Sequence, residues 1–111
     1  MNGKPLKFCG TSLDDLRSFP ATARRRAGLA LSLVQAGEDP PDWKPMTAIG
    51  RGVREIRVRD DKEAFRVIYA AKFEDAIYVL HCFGKKSQKT ARGDLELATR
   101  RYRDLVKEFG K

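Results

Sequence analysis

The segment from Val53 to Arg59 alternates between apolar and charged side chains, which is the two-residue period of a strand with one buried face. A polar connection of hairpin length, Asp60 to Glu63, leads from it into an apolar segment, Phe65 to Ala71. After an acidic turn, a third segment of the same kind runs from Ala76 to Phe83. The pattern predicts a three-stranded antiparallel meander, and the rest of the chain must fold around this sheet.

Patterns on both sides of the meander predict helices and one further strand. Pro5 to Cys9 indicates a short edge strand, and a first helix is expected from Ser12 to Phe19. Pro20 is suited to open a second helix, and apolar residues recur at helical spacing from Arg92 onward. The three prolines between Glu38 and Pro45 indicate a loop. We therefore predict an α+β fold in a single domain, residues 1–111, with an N-terminal strand and helical hairpin, the meander and a C-terminal helix.

Composition restricts the partners of the chain more than its fold. Lys and Arg number 23 against 15 Asp and Glu, so the formal net charge of +8 favours phosphates, acidic proteins or acidic lipid. No apolar run approaches membrane-spanning length and no signal-peptide pattern is present, so we expect a cytoplasmic protein without a membrane partner. Cys9 and Cys82 lack metal-ligand spacing, and the chain has one histidine, so no disulfide, metal site or cofactor is expected.

The expected register of the first hairpin places two arginines opposite each other. If Arg59 pairs with Ala64, the apolar residues of both strands share one face, and Arg57 lies opposite Arg66 on the other. Like charges on β-carbons about 5 Å apart destabilise a sheet unless an anion compensates them. Glu55 could neutralise the pair, or both side chains could extend into water. Alternatively, the two guanidinium groups could clamp a phosphate.

The third strand adds candidates to the arginine face. A tight second hairpin would place His81 there, and it is a candidate for proton transfer because histidine is the residue type most often used as a general acid or base. A shift of one residue would instead bury His81 as a structural side chain. The strand leads into a lysine-rich segment that includes Lys86, which would suit an RNA backbone or form a solvated loop. Further candidate RNA contacts are the basic residues Arg51, Arg59, Lys85 and Lys89.

Three ordered stretches carry a likeness to a known family. They are Ile49-Gly50-x-Gly52-Val53-x-Glu55-x-Arg57-Val58, Phe65-Arg66-Val67-x-Tyr69 and Val79-Leu80-His81-x-Phe83-x-Lys85-Lys86. Together they resemble the RelE/ParE toxin superfamily, and more closely its phage-related, HigB-like branch. The resemblance implies a toxin of a type II toxin–antitoxin system. It also implies a twisted, mainly antiparallel sheet with two N-terminal helices and a C-terminal helix.

The resemblance further implies an activity, site residues and partners. Members of this branch typically cut messenger RNA in the ribosomal A site and so inhibit translation, through attack of the ribose 2′-hydroxyl on the adjacent phosphate. By position, Arg57, Arg66 and Lys86 would stabilise the charge of the phosphate. Proton transfer would then fall to His81 or to a lysine of lowered pKa. The implied partners are the ribosome, mRNA and a cognate antitoxin, expected to be of the helix-turn-helix type.

The chain departs from its relatives in ways that leave other functions open. Thr90, Ala91 and Arg92 stand where some relatives have a tyrosine, and Glu55 stands where others have a lysine. A ParE-like toxin that inhibits DNA gyrase without nuclease chemistry is one alternative. A non-toxic nucleic-acid-binding module is another, although the chain has no helix-turn-helix signature and no RNP-type aromatic pair.

Overall fold

A five-stranded sheet with helices on both faces forms the protein, as seen in a computed structural model that describes residues 3–61, 63–85 and 90–109. The elements in chain order are β1 (Leu6–Phe8), α1 (Ser12–Arg17), α2 (Ala21–Gln35), β2 (Trp43–Pro45), β3 (Val53–Asp60), β4 (Glu63–Ala70), β5 (Ile77–Lys85) and α3 (Arg92–Glu108). The strand order is β1-β5-β4-β3-β2, with β1 parallel to β5 and the other pairs antiparallel. This architecture confirms the predicted α+β class.

Two local expectations were wrong. Trp43–Pro45 was expected in a loop, but it forms the edge strand β2, in which Trp43 pairs with Ile56 of β3. Proline is compatible with this position because an edge strand leaves one side without ladder hydrogen bonds. The first helix ends at Arg17 rather than Phe19. Phe19 precedes Pro20, and the residue before a proline is disfavoured in the helical conformation.

The register of the meander agrees with the prediction throughout the first hairpin and in part of the second. Arg59 pairs with Ala64, and Arg57 lies opposite Arg66. The pair Asp60 and Glu63 closes the first hairpin, so only two residues connect β3 to β4. In the second hairpin, Phe83 lies opposite Arg66 and His81 lies opposite Ile68, as expected. The tight turn on which that expectation depended is absent, because residues 71–76 connect the two strands and the register shifts between Ile68 and Tyr69.

The sheet carries a buried apolar layer on each face. The face towards α1 and α2, here called the α2 face, packs Ile56, Val58, Phe65 and Val67 of the sheet against Ala23, Ala27 and Leu31 of α2. The opposite face, here called the α3 face, packs Val53, Ile68, Leu80 and Phe83 against Ala98, Tyr102 and Leu105 of α3. Within the described ranges, no helix is long and apolar enough to cross a membrane.

The two cysteines are free thiols that both contact the apolar layers of the sheet. Cys82 is buried on the α2 face, and Cys9 is half-buried. Burial raises the pKa of the Cys82 thiol to about 12. Because the thiolate is the reactive form, Cys82 is chemically inert at neutral pH.

Two glycines are expected to respond in opposite ways to alanine. A β-carbon at Gly50 would lie 2.7 Å from Cζ of the buried Tyr102 ring, so Gly50→Ala should cost about 1–3 kcal/mol of unfolding free energy. At Gly28, exposed on α2, an added β-carbon would meet no atom within 4 Å. Gly28→Ala should therefore stabilise the protein by about 0.5–1 kcal/mol. Urea unfolding curves of the two variants would test both expectations. Changes in unfolding free energy of the same sign would contradict this account of how α3 packs at Gly50.

Candidate active site

The α3 face becomes polar at the end nearest the β3–β4 hairpin. There β3 contributes Glu55 and Arg57, and β4 contributes Arg66. Because side chains alternate between the two faces of a strand, these residues lie on the face opposite Ile56 and Val67. The period of the sequence therefore brings three charged side chains together beside the apolar layer.

The two arginines lie side by side, as predicted, but they have different surroundings. Arg66 is only 7 % exposed, and its Nη1 donates a hydrogen bond of 2.7 Å to Oε1 of Glu55. The Arg57 side chain is 37 % exposed, and its Nη1 lies 3.8 Å from Oδ1 of Asp42, which is itself half-exposed. Glu55 thus neutralises one member of the pair, while the other extends to the surface.

Glu55 is the centre of a buried polar network. Its carboxylate is fully buried, and Oε2 accepts a hydrogen bond of 2.6 Å from the Thr90 hydroxyl. Nζ of Lys44, on the edge strand β2, lies 3.8 Å from Oε1. Because a buried carboxylate without partners is costly, these contacts, with the one to Arg66, explain how Glu55 is tolerated inside the protein.

A small cleft of about 100 Å³ opens beside the two arginines. Its described lining consists of Asp42, Arg57, Val58, Arg59, Ala64 and Arg66. Three arginines and one aspartate make the described lining positive, and the volume suits one phosphate group rather than a nucleobase. The Nε–H groups of Arg57 and Arg66 are buried without an acceptor among the described residues. A bound anion or water could supply acceptors for these donors.

His81 is on the arginine face, as predicted, but it does not belong to the described lining of the cleft. Its Nε2 lies 2.7 Å from Oδ1 of Asp94 in the first turn of α3. Its ring stacks on Phe83 with 4.7 Å between centroids, and the residue is buried. The imidazole therefore faces α3, and its role in proton transfer stays a prediction.

The basic residues predicted to bind RNA fall into three groups. Arg59 lines the cleft. Arg51 lies in the turn before the opposite end of β3, and it is not part of the described lining of the cleft. The backbone of Lys85 pairs with the cleft residue Ala64. The side chain of Lys85 and the whole of Lys86 and Lys89 lie outside the described residues.

Sequence reasoning missed two residues of this site. Asp42 reaches the cleft because β2 pairs with β3, and the Arg57 backbone N–H donates to the Asp42 carbonyl oxygen at 2.8 Å. The proline-rich sequence around Asp42 indicated a loop and concealed this pairing. Thr90 reaches Glu55 from 35 residues away, and no local pattern signals such a contact. The one available signal was the position of Glu55 on the predicted arginine face, because a carboxylate there requires hydrogen-bond or ionic partners.

Comparison with known proteins identifies the family of this chain. Residues 14–103 match the family described as Phage derived protein Gp49-like (DUF891). A search of the curated proteins finds no significant match. The family match covers most of the chain, including β2 to β5, the three cleft arginines and the greater part of α3. The chain therefore belongs to the Gp49-like family of phage-derived proteins, a RelE-like toxin family of toxin–antitoxin systems.

Proposed function

We propose that this protein is a HigB-like toxin that cleaves mRNA on the ribosome and thereby inhibits translation, acting as one toxin domain. The observation that supports the proposal most directly is the cleft in which Arg57, Arg59 and Arg66 converge beside Asp42. Planar guanidinium groups match the oxygens of a phosphate, and a gyrase inhibitor that acts by binding alone needs no such cleft. Membership of a toxin family supplies the second support.

The proposed reaction is an internal transfer at an RNA phosphate. The 2′-oxygen loses its proton and bonds to phosphorus, while the bond from phosphorus to the 5′-oxygen breaks and that oxygen gains a proton. The products are a 2′,3′-cyclic phosphate and a 5′-hydroxyl. Arg57 and Arg66 would stabilise the extra negative charge of the five-coordinate phosphate, which is commonly the largest catalytic contribution. We propose that Lys86 adds to this charge and that Arg59, Lys85 and Lys89 contact the RNA backbone.

Proton transfer is the part of the proposal that the cleft does not supply by itself. His81 is the residue that we propose for it, and its Nε2 is engaged with Asp94 in the present arrangement. Binding of RNA would have to draw the imidazole, or a water next to it, towards the cleft. General acid–base catalysis contributes about 10²- to 10⁴-fold, so a toxin without it would be slow rather than inactive.

The shape of the cleft favours dependence on the ribosome. Its volume suits one phosphate, and none of its described lining residues is aromatic, so it offers no surface on which a base could stack. Cleavage nevertheless requires the 2′-oxygen to lie in line with the 5′-oxygen, and such positioning accounts for much of the rate of internal reactions. A ribosome that holds the mRNA in its A site would provide this positioning.

Mapping of cellular mRNA ends tests the proposal. Expression of the protein without its antitoxin should produce new 5′ ends within translated codons, detected by primer extension, and cleaved fragments should end in a 2′,3′-cyclic phosphate. Naked RNA should be cut far more slowly than mRNA on ribosomes. Growth arrest with intact mRNA and altered DNA supercoiling would contradict the nuclease proposal and favour gyrase inhibition instead.

A cognate antitoxin is the partner that the family supports. We propose that it is a helix-turn-helix protein with an acidic surface, because complementary charge would speed capture of a toxin with a net charge of +8. Raising the salt concentration should then slow association of the two proteins more than it speeds dissociation.

A further inference from the structure

We propose that Glu55 and Thr90 are positioning residues of the cleft: the buried carboxylate orients Arg66, and Thr90 holds the carboxylate. The inference rests on the proposed function for its consequence on cleavage, but not for its consequence on phosphate binding. Its basis is a chain of two short hydrogen bonds, from Arg66 Nη1 to Glu55 Oε1 at 2.7 Å and from Thr90 Oγ1 to Glu55 Oε2 at 2.6 Å.

Stability alone does not explain why the ion pair of Glu55 and Arg66 is buried. Both residues are more than nine-tenths buried, and removing two charges from water commonly costs as much as their attraction returns. A pair of apolar residues would fill the same space without that cost. A charged pair retained beside an arginine-lined cleft is therefore better explained by what it orients than by stability.

The hydrogen bond to Glu55 restricts the orientation of the Arg66 guanidinium group. A guanidinium group is planar with five N–H donors in fixed directions, so binding one Nη to a buried carboxylate limits where the other donors can point. Arg66 also lines the cleft, so these directions matter for an anion bound there. Preorganised donors lose little free energy to reorganisation when the anion arrives.

Thr90 completes the network from a different part of the chain. It follows the lysine-rich segment and precedes α3, so its hydroxyl ties the start of that helix region to β3. On the other side of the segment, the Lys85 backbone pairs with the cleft residue Ala64. Thr90 is thus bonded to β3 through Glu55, the residue that also accepts the hydrogen bond from Arg66.

The test uses Thr90→Val, which removes the hydroxyl and keeps the shape. Thr90→Ser restores a donor, and Thr99→Val is a matched control because the Thr99 hydroxyl donates only within α3, to the Leu95 carbonyl. Inorganic phosphate is titrated into each folded protein while NMR follows the arginine Nε–H signals, and the cleavage rate of mRNA on purified ribosomes is measured at saturating protein. We expect Thr90→Val to weaken phosphate binding and slow cleavage by about tenfold each, with the serine variant and the control close to wild type.

The outcomes separate this inference from the proposed function. Wild-type phosphate affinity and cleavage rate in Thr90→Val would overturn it, as would a loss of thermal stability in that variant without a change in phosphate affinity. Absence of phosphate-induced shifts in the wild-type arginine signals would overturn it as well. If Thr90→Val binds phosphate tenfold more weakly but even the wild-type protein cleaves no mRNA, the positioning role stands and the nuclease proposal fails.

Discussion

Replacing Arg66 by alanine is expected to destabilise the whole protein by about 3 kcal/mol and to lower the melting temperature by roughly 12 °C. The reason is Glu55, which is fully buried and would lose its closest cationic partner. Breaking a buried pair typically costs 3–5 kcal/mol, and we take the lower value because Thr90 and Lys44 still contact the carboxylate. Domains of this size have about 5–15 kcal/mol of total stability, so the loss is large.

A matched arginine–glutamate pair on the surface provides the control. Arg92 and Glu96 form an i,i+4 pair on α3 in which the Arg92 side chain is 89 % exposed, so Arg92→Ala should change stability by less than about 0.5 kcal/mol. Replacing both buried partners, as in Glu55→Leu with Arg66→Met, should recover more than half of the loss. Urea unfolding curves measure all three variants. A loss below 1 kcal/mol in Arg66→Ala would contradict the assignment of this pair as a buried, mutually compensating one.

This expectation changes how the toxicity of an Arg66 variant must be interpreted. Growth of cells that express Arg66→Ala would be consistent with lost chemistry, but equally with a protein that is partly unfolded. Arg66→Lys is a better probe, since it keeps a positive charge near Glu55 while removing the planar fork. Any activity measurement on Arg66 variants therefore needs an unfolding curve from the same preparation.

The sheet register was predictable from sequence because it depends on a local period. A shift of one residue would turn Ile56 and Val58 from the apolar α2 face to the polar end of the α3 face, so alternation alone specified that Arg57 lies opposite Arg66. The position of His81 on the arginine face depended in addition on a register shift between Ile68 and Tyr69, which alternation does not reveal. The C-terminal helix was equally predictable, since its buried residues Ala98, Tyr102 and Leu105 recur at helical spacing.

The partners of the charged side chains were not predictable, because they depend on contacts between distant parts of the chain. Glu55 lies directly opposite Ile68 and reaches Arg66 as a diagonal neighbour, and several side chains could have compensated Arg66. Asp42 arrives through an edge strand hidden in a proline-rich sequence, and Thr90 arrives from beyond β5. The period of a strand decides which face a side chain occupies, but it does not decide what that side chain binds.

Replacing Arg57 by alanine is expected to reduce mRNA cleavage by about 10²- to 10³-fold while leaving the fold intact. Loss of one donor that stabilises transition-state charge has effects of this size. The structural cost should stay below about 1 kcal/mol, because Arg57 is 37 % exposed and its nearest carboxylate, on Asp42, is half-exposed and 3.8 Å away. Arg57 thus offers the separation of chemistry from stability that Arg66 does not. Single-turnover cleavage on purified ribosomes and a urea unfolding curve measure the two quantities.

Arg25→Ala is the matched control for Arg57→Ala, because it removes the same charge from an exposed position on α2, the helix that packs on the other face of the sheet. Both variants lower the net charge from +8 to +7, so a loss of general attraction to RNA would affect them equally. If phosphate clamping in the cleft is the cause, only Arg57→Ala slows cleavage, and Arg57→Lys recovers only part of the rate because an ammonium lacks the planar fork. Equal cleavage by the Arg57 and Arg25 variants would remove Arg57 from the mechanism and leave the cleft without a catalytic role.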